Sequence, residues 1–233
     1  LLPEQVHPVA HARWGVSAWE EDERVPGSYA EEVSKTEFET LTLIGASEYI
    51  DLLGSIDATA TEDQELVSAW SQKRDGLILD VGCGPRQWTN FLDAIGAEVV
   101  CIDPVHAFVV GAQARYPQVD YRLGQAENLD VADASVAGVL AWYSLIHTSP
   151  SDLGVVLDEF ARVLHPGGSL LLGFFEGPEL MPFDHAVTTA YFWPIPELTH
   201  RLEQAGFTVT MTQTRIDEGS RAHGAIIARR EHI

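Results

Sequence analysis

Cationic side chains are what this chain has least of: 14 Lys and Arg stand against 35 Asp and Glu in 233 residues, a formal charge of -21. Such a surface repels polyanions, and a protein that grips RNA or DNA needs a basic face to neutralise phosphates, so nucleic acid is disfavoured as a partner. The same charge argues against an anionic membrane surface, and no apolar run approaches the ~20 residues of a spanning helix. Acidity of this degree also serves solubility without bearing on any ligand. Cysteine is scarce too. Cys83 and Cys101 are the two present; both are expected to be buried, and they supply neither a disulfide framework nor a zinc-ligand spacing. With no cluster of metal-ligating side chains evident, the reading is metal-independent. The opening residues Leu1, Leu2, Pro3 and Glu4 lack the basic start and long apolar segment of a secretory signal, which makes a cytoplasmic protein the default. Internal repeats and low-complexity runs are absent.

What is present is concentrated in residues 77–86. They read as a buried strand running into a glycine-rich turn, with Asp80 two places before Gly82 and with Gly84 two places after it. Glycines without Cβ admit positive φ and let a ligand approach the backbone, and the helix that follows offers unpaired N–H groups. A second apolar strand ends in Asp103, about twenty residues beyond Gly82, the placement a carboxylate needs to accept both hydrogen bonds of a ribose diol across the top of a parallel sheet. Dinucleotide dehydrogenases want a small or apolar residue at Asp80 and a glycine where Gln87 stands, which weakens that alternative.

The Asp80-x-Gly82-x-Gly84 turn resembles the first motif of class I S-adenosylmethionine-dependent methyltransferases of the small-molecule type, with Asp103 matching their ribose-binding acid. The resemblance continues in order over residues 76–230. Gly124, Gln125, Ala126, Glu127 and Leu129 look like the third-strand motif that reads the adenine edge. Residues 137–147 look like the fourth strand and the loop facing the methyl group. Arg162, Leu164, Pro166, Gly167 and Gly168 resemble the turn into the fifth strand, and residues 198–228 the last helix and terminal hairpin. The resemblance implies a doubly wound, Rossmann-like α/β fold with a seven-stranded sheet, a C-terminal antiparallel hairpin and an N-terminal helical lid.

It also implies S-adenosylmethionine as cofactor, S-adenosylhomocysteine as product, and cofactor contacts from Asp80, Gly82, Cys83, Gly84, Arg86, Trp88, Asp103, Pro104, Gln125, Ala126, Glu127, Trp142 and Tyr29. One position departs from the pattern. Arg86 stands at the third motif glycine, and if a left-handed backbone is required there a side chain costs roughly 1–2 kcal/mol. Three placements follow. Arg86 points to solvent and weakens cofactor binding; it fills the pocket, leaving a methyltransferase-like binding or scaffold module; or it pairs with a carboxylate of cofactor or substrate.

Two parts are expected along the chain. Residues 1–75 form a helical lid segment with helices near 28–33, 37–53 and 62–73, in which Trp14, Trp19 and Tyr29 either cover the cofactor or pack the segment onto the core. Residues 76–233 form the core, with strands at 77–81, 98–102, 119–123, 136–141, 168–174, 207–213 and 222–228, and helices near 87–95, 105–115, 151–164 and 195–205. Sites in such sheets lie outside the carboxyl ends of the strands. Trp142, Tyr143, Ser144 and His147 follow the fourth strand; Phe174, Phe175 and Glu176 end the fifth. An insertion over roughly 177–194 carries His185, Tyr191 and Trp193 and is expected to build the acceptor pocket. His147 and His185 are the candidate bases, with Tyr143 beside them; each histidine also has a structural reading. The acceptor is expected to be a small, partly apolar molecule, with O-methylation the favoured outcome, and a homodimer is left open.

Overall fold

The computed structural model describes residues 56–84, 87–185, 188–217 and 219–231. The helices expected at 28–33 and 37–53, with Trp14, Trp19, Tyr29 and Arg86, lie outside the described residues. Nine strands and five α-helices follow one another as α1 (Thr61–Ser71), β1 (Ile78–Val81), α2 (Gln87–Ala94), β2 (Val99–Asp103), α3 (His106–Arg115), β3 (Asp120–Leu123), β4 (Val136–Trp142), α4 (Leu153–Val163), β5 (Leu164–Glu176), β6 (Met181–Asp184), β7 (Thr189–Trp193), α5 (Ile195–Gln204), β8 (Phe207–Arg215) and β9 (His223–Arg230).

Strands β1, β2 and β4 are buried almost throughout. Their near-continuous apolar runs are what a parallel strand needs when both faces of the sheet are covered. The order runs β3-β2-β1-β4-β5, all parallel, with β9 antiparallel to β5 and β8 antiparallel to β9. Alternate residues feed two cores. Leu79, Val139, Leu170 and Leu172 pack against Leu153, Val156, Leu157 and Phe160 of α4 and Leu198 and Leu202 of α5. Ile78, Leu140 and Leu171 face Val67 and Trp70 of α1, Trp88 and Leu92 of α2, and Val109 and Ala112 of α3. The apolar stripe of α4 follows the helical period, which is why one face of it disappears into the sheet. Trp70 also donates through Nε1 to Ser169 Oγ at 3.0 Å, fixing α1 to β5.

All seven expected strands are there, and the insertion adds two more. β5 runs three residues past the end of its pairing with β4, which stops at Gly173; on that overhang Phe175 and Glu176 pair with Phe192 and Trp193 of β7. β6 closes antiparallel on β7 and is the sheet edge, where Pro182 is tolerated because no further strand requires its missing N–H. The second correction concerns cysteine. Cys83 and Cys101 are joined by a disulfide, with Cα atoms 5.9 Å apart. Asp80 pairs with Cys101 in the β1–β2 register, so the turn after β1 folds back over β2 and brings two residues distant in sequence within bridging range.

Candidate active site

The glycine turn is shaped by backbone requirements that a side chain would violate. Gly82 has φ +70°, and a Cβ built there would lie 2.4 Å from Ser144 Cβ; Gly84 has φ +50° with open space around its missing Cβ. Asp103, at the carboxyl end of β2, closes the far side of the turn. Its Oδ2 accepts from the Gly84 N–H at 2.8 Å and its Oδ1 from the Val105 N–H at 2.8 Å. Burial pushes this carboxyl up to about 6, against those two donors. Asp80 lies one layer deeper, 2% exposed, and accepts from Thr89 Oγ1 at 2.6 Å. Burial pushes it up to about 7, partly offset by Thr89 and reinforced by Asp103.

The loop after β3 completes this half of the site. Gly124 N–H bonds the Asp103 carbonyl at 3.1 Å and Asn128 N–H returns to Gln125 O at 3.2 Å, so residues 124–128 form a tight turn beside Asp103. Gln125 and Glu127 are exposed there, with Ala126 half-buried, and Pro104 is exposed next to Asp103. Trp88 sits elsewhere: 3% exposed, it packs in the core with its ring 5.9 Å from Phe91 and 5.4 Å from Trp142. Cys83 is held in the disulfide. Two polar atoms near the turn, Gln87 Oε1 and Ser144 Oγ, are buried without a hydrogen-bond partner among the described residues. A bare backbone cradle, a carboxylate at the ribose position and unmet polar atoms beside them fit a nucleoside bearing an amino-acid tail.

Residues 142–147 lead from this cradle to a second cluster. Tyr143 takes φ +56°, rare for a residue with a Cβ, and such strain gathers at functional sites. Its phenol hydrogen-bonds His223 Nδ1, its ring lies 5.0 Å from Phe175, and burial pushes its pKa up, so the hydroxyl stays protonated. His147 closes the 3-10 turn Leu145–His147, and its Nδ1 lies 2.9 Å from the Thr189 carbonyl of β7. A carbonyl only accepts, so Nδ1 carries the hydrogen and Nε2 keeps a lone pair. Burial lowers its pKa. His185 stacks at 5.1 Å from His147, and burial, His147 and Arg221 together push it down to about 4. The structure therefore brings Tyr143, His147 and His185 together.

It separates them from Trp193, a ring expected in the same wall, which is buried in the core at 2% exposure; Phe174, for which a core place is the better expectation, is buried there at 4%. Strand alternation turns them to the α4–α5 face while Phe175 and Phe192 point the other way. Sequence reasoning reached Phe183 only as part of the 177–194 insertion and missed His223 and Arg221, which take part in the cluster. The signal was available for the last two, because an antiparallel final strand must begin at the carboxyl edge of β5.

A parallel sheet in this order, with a glycine turn after β1 and a buried acid ending β2, defines the S-adenosylmethionine-binding fold of class I. The Methyltransferase domain family matches residues 78–168. A malonyl-[acyl-carrier protein] O-methyltransferase of Erwinia billingiae is 30% identical over 158 residues, 65% of this chain and 62% of its own length. An uncharacterised methyltransferase of Synechocystis is 31% identical over 141 residues, 57% of this chain and 66% of its own. The chain thus spans less than two thirds of either curated relative. Among solved structures, the 1,6-didemethyltoxoflavin-N1-methyltransferase of Burkholderia thailandensis, with 1,6-didemethyltoxoflavin and S-adenosylhomocysteine bound, shares the fold at TM-score 0.71 and 20% identity over 91% of this chain and 94% of that one. Residues 78–168 thus match a methyltransferase domain, and the chain is similar to S-adenosylmethionine-dependent methyltransferases, whose cofactor is S-adenosylmethionine.

Proposed function

We propose that this chain transfers the methyl group of S-adenosylmethionine to an oxygen of a small-molecule acceptor. The observation that carries the reading is the 142–147 loop, which begins against Gly82 in the cofactor cradle and ends at His147, whose Nε2 is free to take a proton. When bound, the cofactor supplies a methyl carbon already activated by the sulfonium charge. The protein's share is alignment and exclusion of water. Asp103 accepts the ribose hydroxyls, the 124–128 turn faces the adenine, and Gly82, Gly84 and Ser144 line the amino-acid tail, with Asp80 and Trp88 supporting the turn from beneath. At the acceptor, His147 takes the hydroxyl proton while the rings of Tyr143, Phe175 and Phe183 shed water. The insertion at 177–194 walls the acceptor, and neither nucleic acid nor membrane is a partner; the location is cytoplasmic.

Two relatives bear on the acceptor atom: one is named for O-methylation of a malonyl group on acyl-carrier protein, the other for N1 of a toxoflavin precursor. Oxygen is preferred here because His147 is placed to take a hydroxyl proton, whereas a thioether acceptor has no proton to lose. Calorimetry with S-adenosylhomocysteine tests the cofactor half, and Asp103→Ala is expected to abolish binding. S-adenosylhomocysteine release from a panel of phenols, alcohols and acids tests the acceptor half. The rival reading, catalysis weakened or lost through Arg86 with a binding or scaffold role, predicts no release until Arg86→Gly restores it; release from the unaltered chain dismisses it.

A further inference from the structure

Arg221 is exposed, and its guanidinium carbon stands 4.7 Å from the centre of the Phe183 ring and 5.8 Å from that of Phe175. In a chain with 35 acidic side chains, Arg122, Arg162, Arg201 and Arg215 each pair with a carboxylate; Arg221, like Arg74, Arg115, Arg229 and Arg230, forms no ion pair among the described residues, but it alone of these lies over the rings of the acceptor cluster. A guanidinium stacked by its face on aromatic rings keeps its N–H edge available, and that edge matches a planar carboxylate in bidentate fashion. The rings beneath it are continuous with the acceptor cluster: Phe175 lies 5.5 Å from Phe183, 5.0 Å from Tyr143 and 5.9 Å from His185.

The rest of the cluster offers an anion nothing else. Tyr143 keeps its proton, and His147 and His185 are held neutral, the second in part by Arg221 itself, whose field therefore reaches into the cluster. His185 Nδ1 is buried there without a partner. An aromatic face for a flat body, a lone pair at His147 for a hydroxyl proton and a guanidinium fork at the rim, without an ion pair among the described residues, describe one kind of ligand. Resting on the reading of this cluster as the acceptor wall, we propose that the acceptor is a monocyclic or bicyclic aromatic carboxylate bearing a hydroxyl, its ring against Phe175 and its carboxylate on Arg221, which Phe183 holds in place, with Phe192 against the Phe183 ring as well. The global charge of -21 works against an anionic ligand. A local cation is therefore what lets this site select one.

The test reads binding, not turnover. Isothermal calorimetry on the full chain with S-adenosylhomocysteine present compares hydroxybenzoates, substituted ortho, meta and para, with the matching hydroxybenzamides. The carboxylate of the preferred isomer is expected to bind about tenfold more tightly than its amide, the scale of one charge-assisted contact. Arg221→Gln should bring the carboxylate down to the amide's affinity, and Arg221→Lys should keep part of the preference. Equal affinities, an amide preference, a carboxylate preference that survives Arg221→Gln, or binding of neither probe at millimolar concentration would each overturn the inference. Thermal melting confirms that the variants fold, since Arg221 is a surface residue. Failure of methyl release with the Arg221-dependent preference intact would strike the proposed reaction alone. Release from neutral acceptors, unaffected by Arg221→Gln, would strike this inference alone.

Discussion

His147 donates through Nδ1 to Thr189, so the lone pair that meets an acceptor proton sits on Nε2. Burial holds its pKa below the ordinary 6.5, which leaves the imidazole neutral at physiological pH. kcat/KM should therefore be flat from neutral pH upward and fall only as pH drops through that lowered pKa. His147→Ala is expected to reduce kcat about 10²–10⁴-fold, the usual weight of general-base catalysis, and to erase the acidic limb. S-adenosylhomocysteine release followed across pH checks both; an intact limb in the variant would assign it to another group. His185, pushed down to about 4, is a weak base and is expected to act by packing against His147.

Asp80 presents the opposite sign. Its folded pKa is raised from 3.8 to about 7, so the native state binds this proton more tightly than the unfolded chain does. The stability it lends is fully present below 3.8 and is lost as pH rises through about 7; Asp103, raised to about 6, behaves alike. Asp80→Asn keeps an acceptor for Thr89 Oγ1 and removes the ionisation. Its melting temperature relative to the unsubstituted protein should climb between about pH 5 and about pH 8, by a margin worth ~2 kcal/mol. A constant difference across that range would place the buried charge elsewhere.

Between elements, the adenine-side loop depends on a clamp in α4. Arg162 donates to Leu129 O at 3.0 Å and Val131 O at 2.9 Å and pairs with Glu159, which itself accepts from Leu129 N–H at 2.6 Å. Arg162→Ala removes the fork that holds the loop to the helix. It should destabilise the fold by about 1–3 kcal/mol and weaken S-adenosylhomocysteine binding several-fold, with faster amide exchange confined to residues 124–133. Arg162→Lys, a point charge without the planar fork, should recover only part.

This clamp also shows where sequence reading stops. The motif containing Arg162 was recognisable in one dimension, yet its partners lie thirty residues upstream, and no local pattern tells which carbonyls a guanidinium will find. Strands β1, β2 and β4 were legible because each is a buried, largely apolar run. The β6–β7 hairpin was not, since Pro182 breaks the first strand's signal and the pairing partner is an overhang of β5 that exists only in three dimensions. The carboxyl-edge rule found Asp103, Tyr143 and His147, whereas Arg221 and His223 required knowing what the start of the last strand faces.

At the scale of the whole molecule, the Cys83–Cys101 disulfide ties the cofactor turn to the second strand across a separation of 18 residues. Closing a loop of that size stabilises the native state by about 3 kcal/mol, chiefly through the unfolded chain. Reductant should therefore lower the melting temperature by several degrees, and the Cys83→Ser, Cys101→Ser double variant should melt at the reduced value with no response to reductant. Maleimide labelling of unfolded protein, before and after reduction, counts the thiols directly. Disulfides are rare in the cytosol, so the same labelling in rapidly quenched cells reports which state the chain occupies there. Among the described residues no helix is long and apolar enough to cross a membrane.

The overhang of β5 divides labour within one strand. Up to Gly173 it is a middle strand of the cofactor-binding sheet; beyond it, Phe175 and Glu176 serve as the anchor for a hairpin that pairs with neither β1, β2 nor β3. What recognises the acceptor is thus joined to what recognises the cofactor through a two-residue splice. Exchanging residues 177–193 for the hairpin of a relative should transfer acceptor preference while leaving S-adenosylhomocysteine affinity within a few-fold of its starting value. That outcome would make the hairpin a replaceable cassette, free to diverge without renegotiating the half of the molecule that holds the methyl donor.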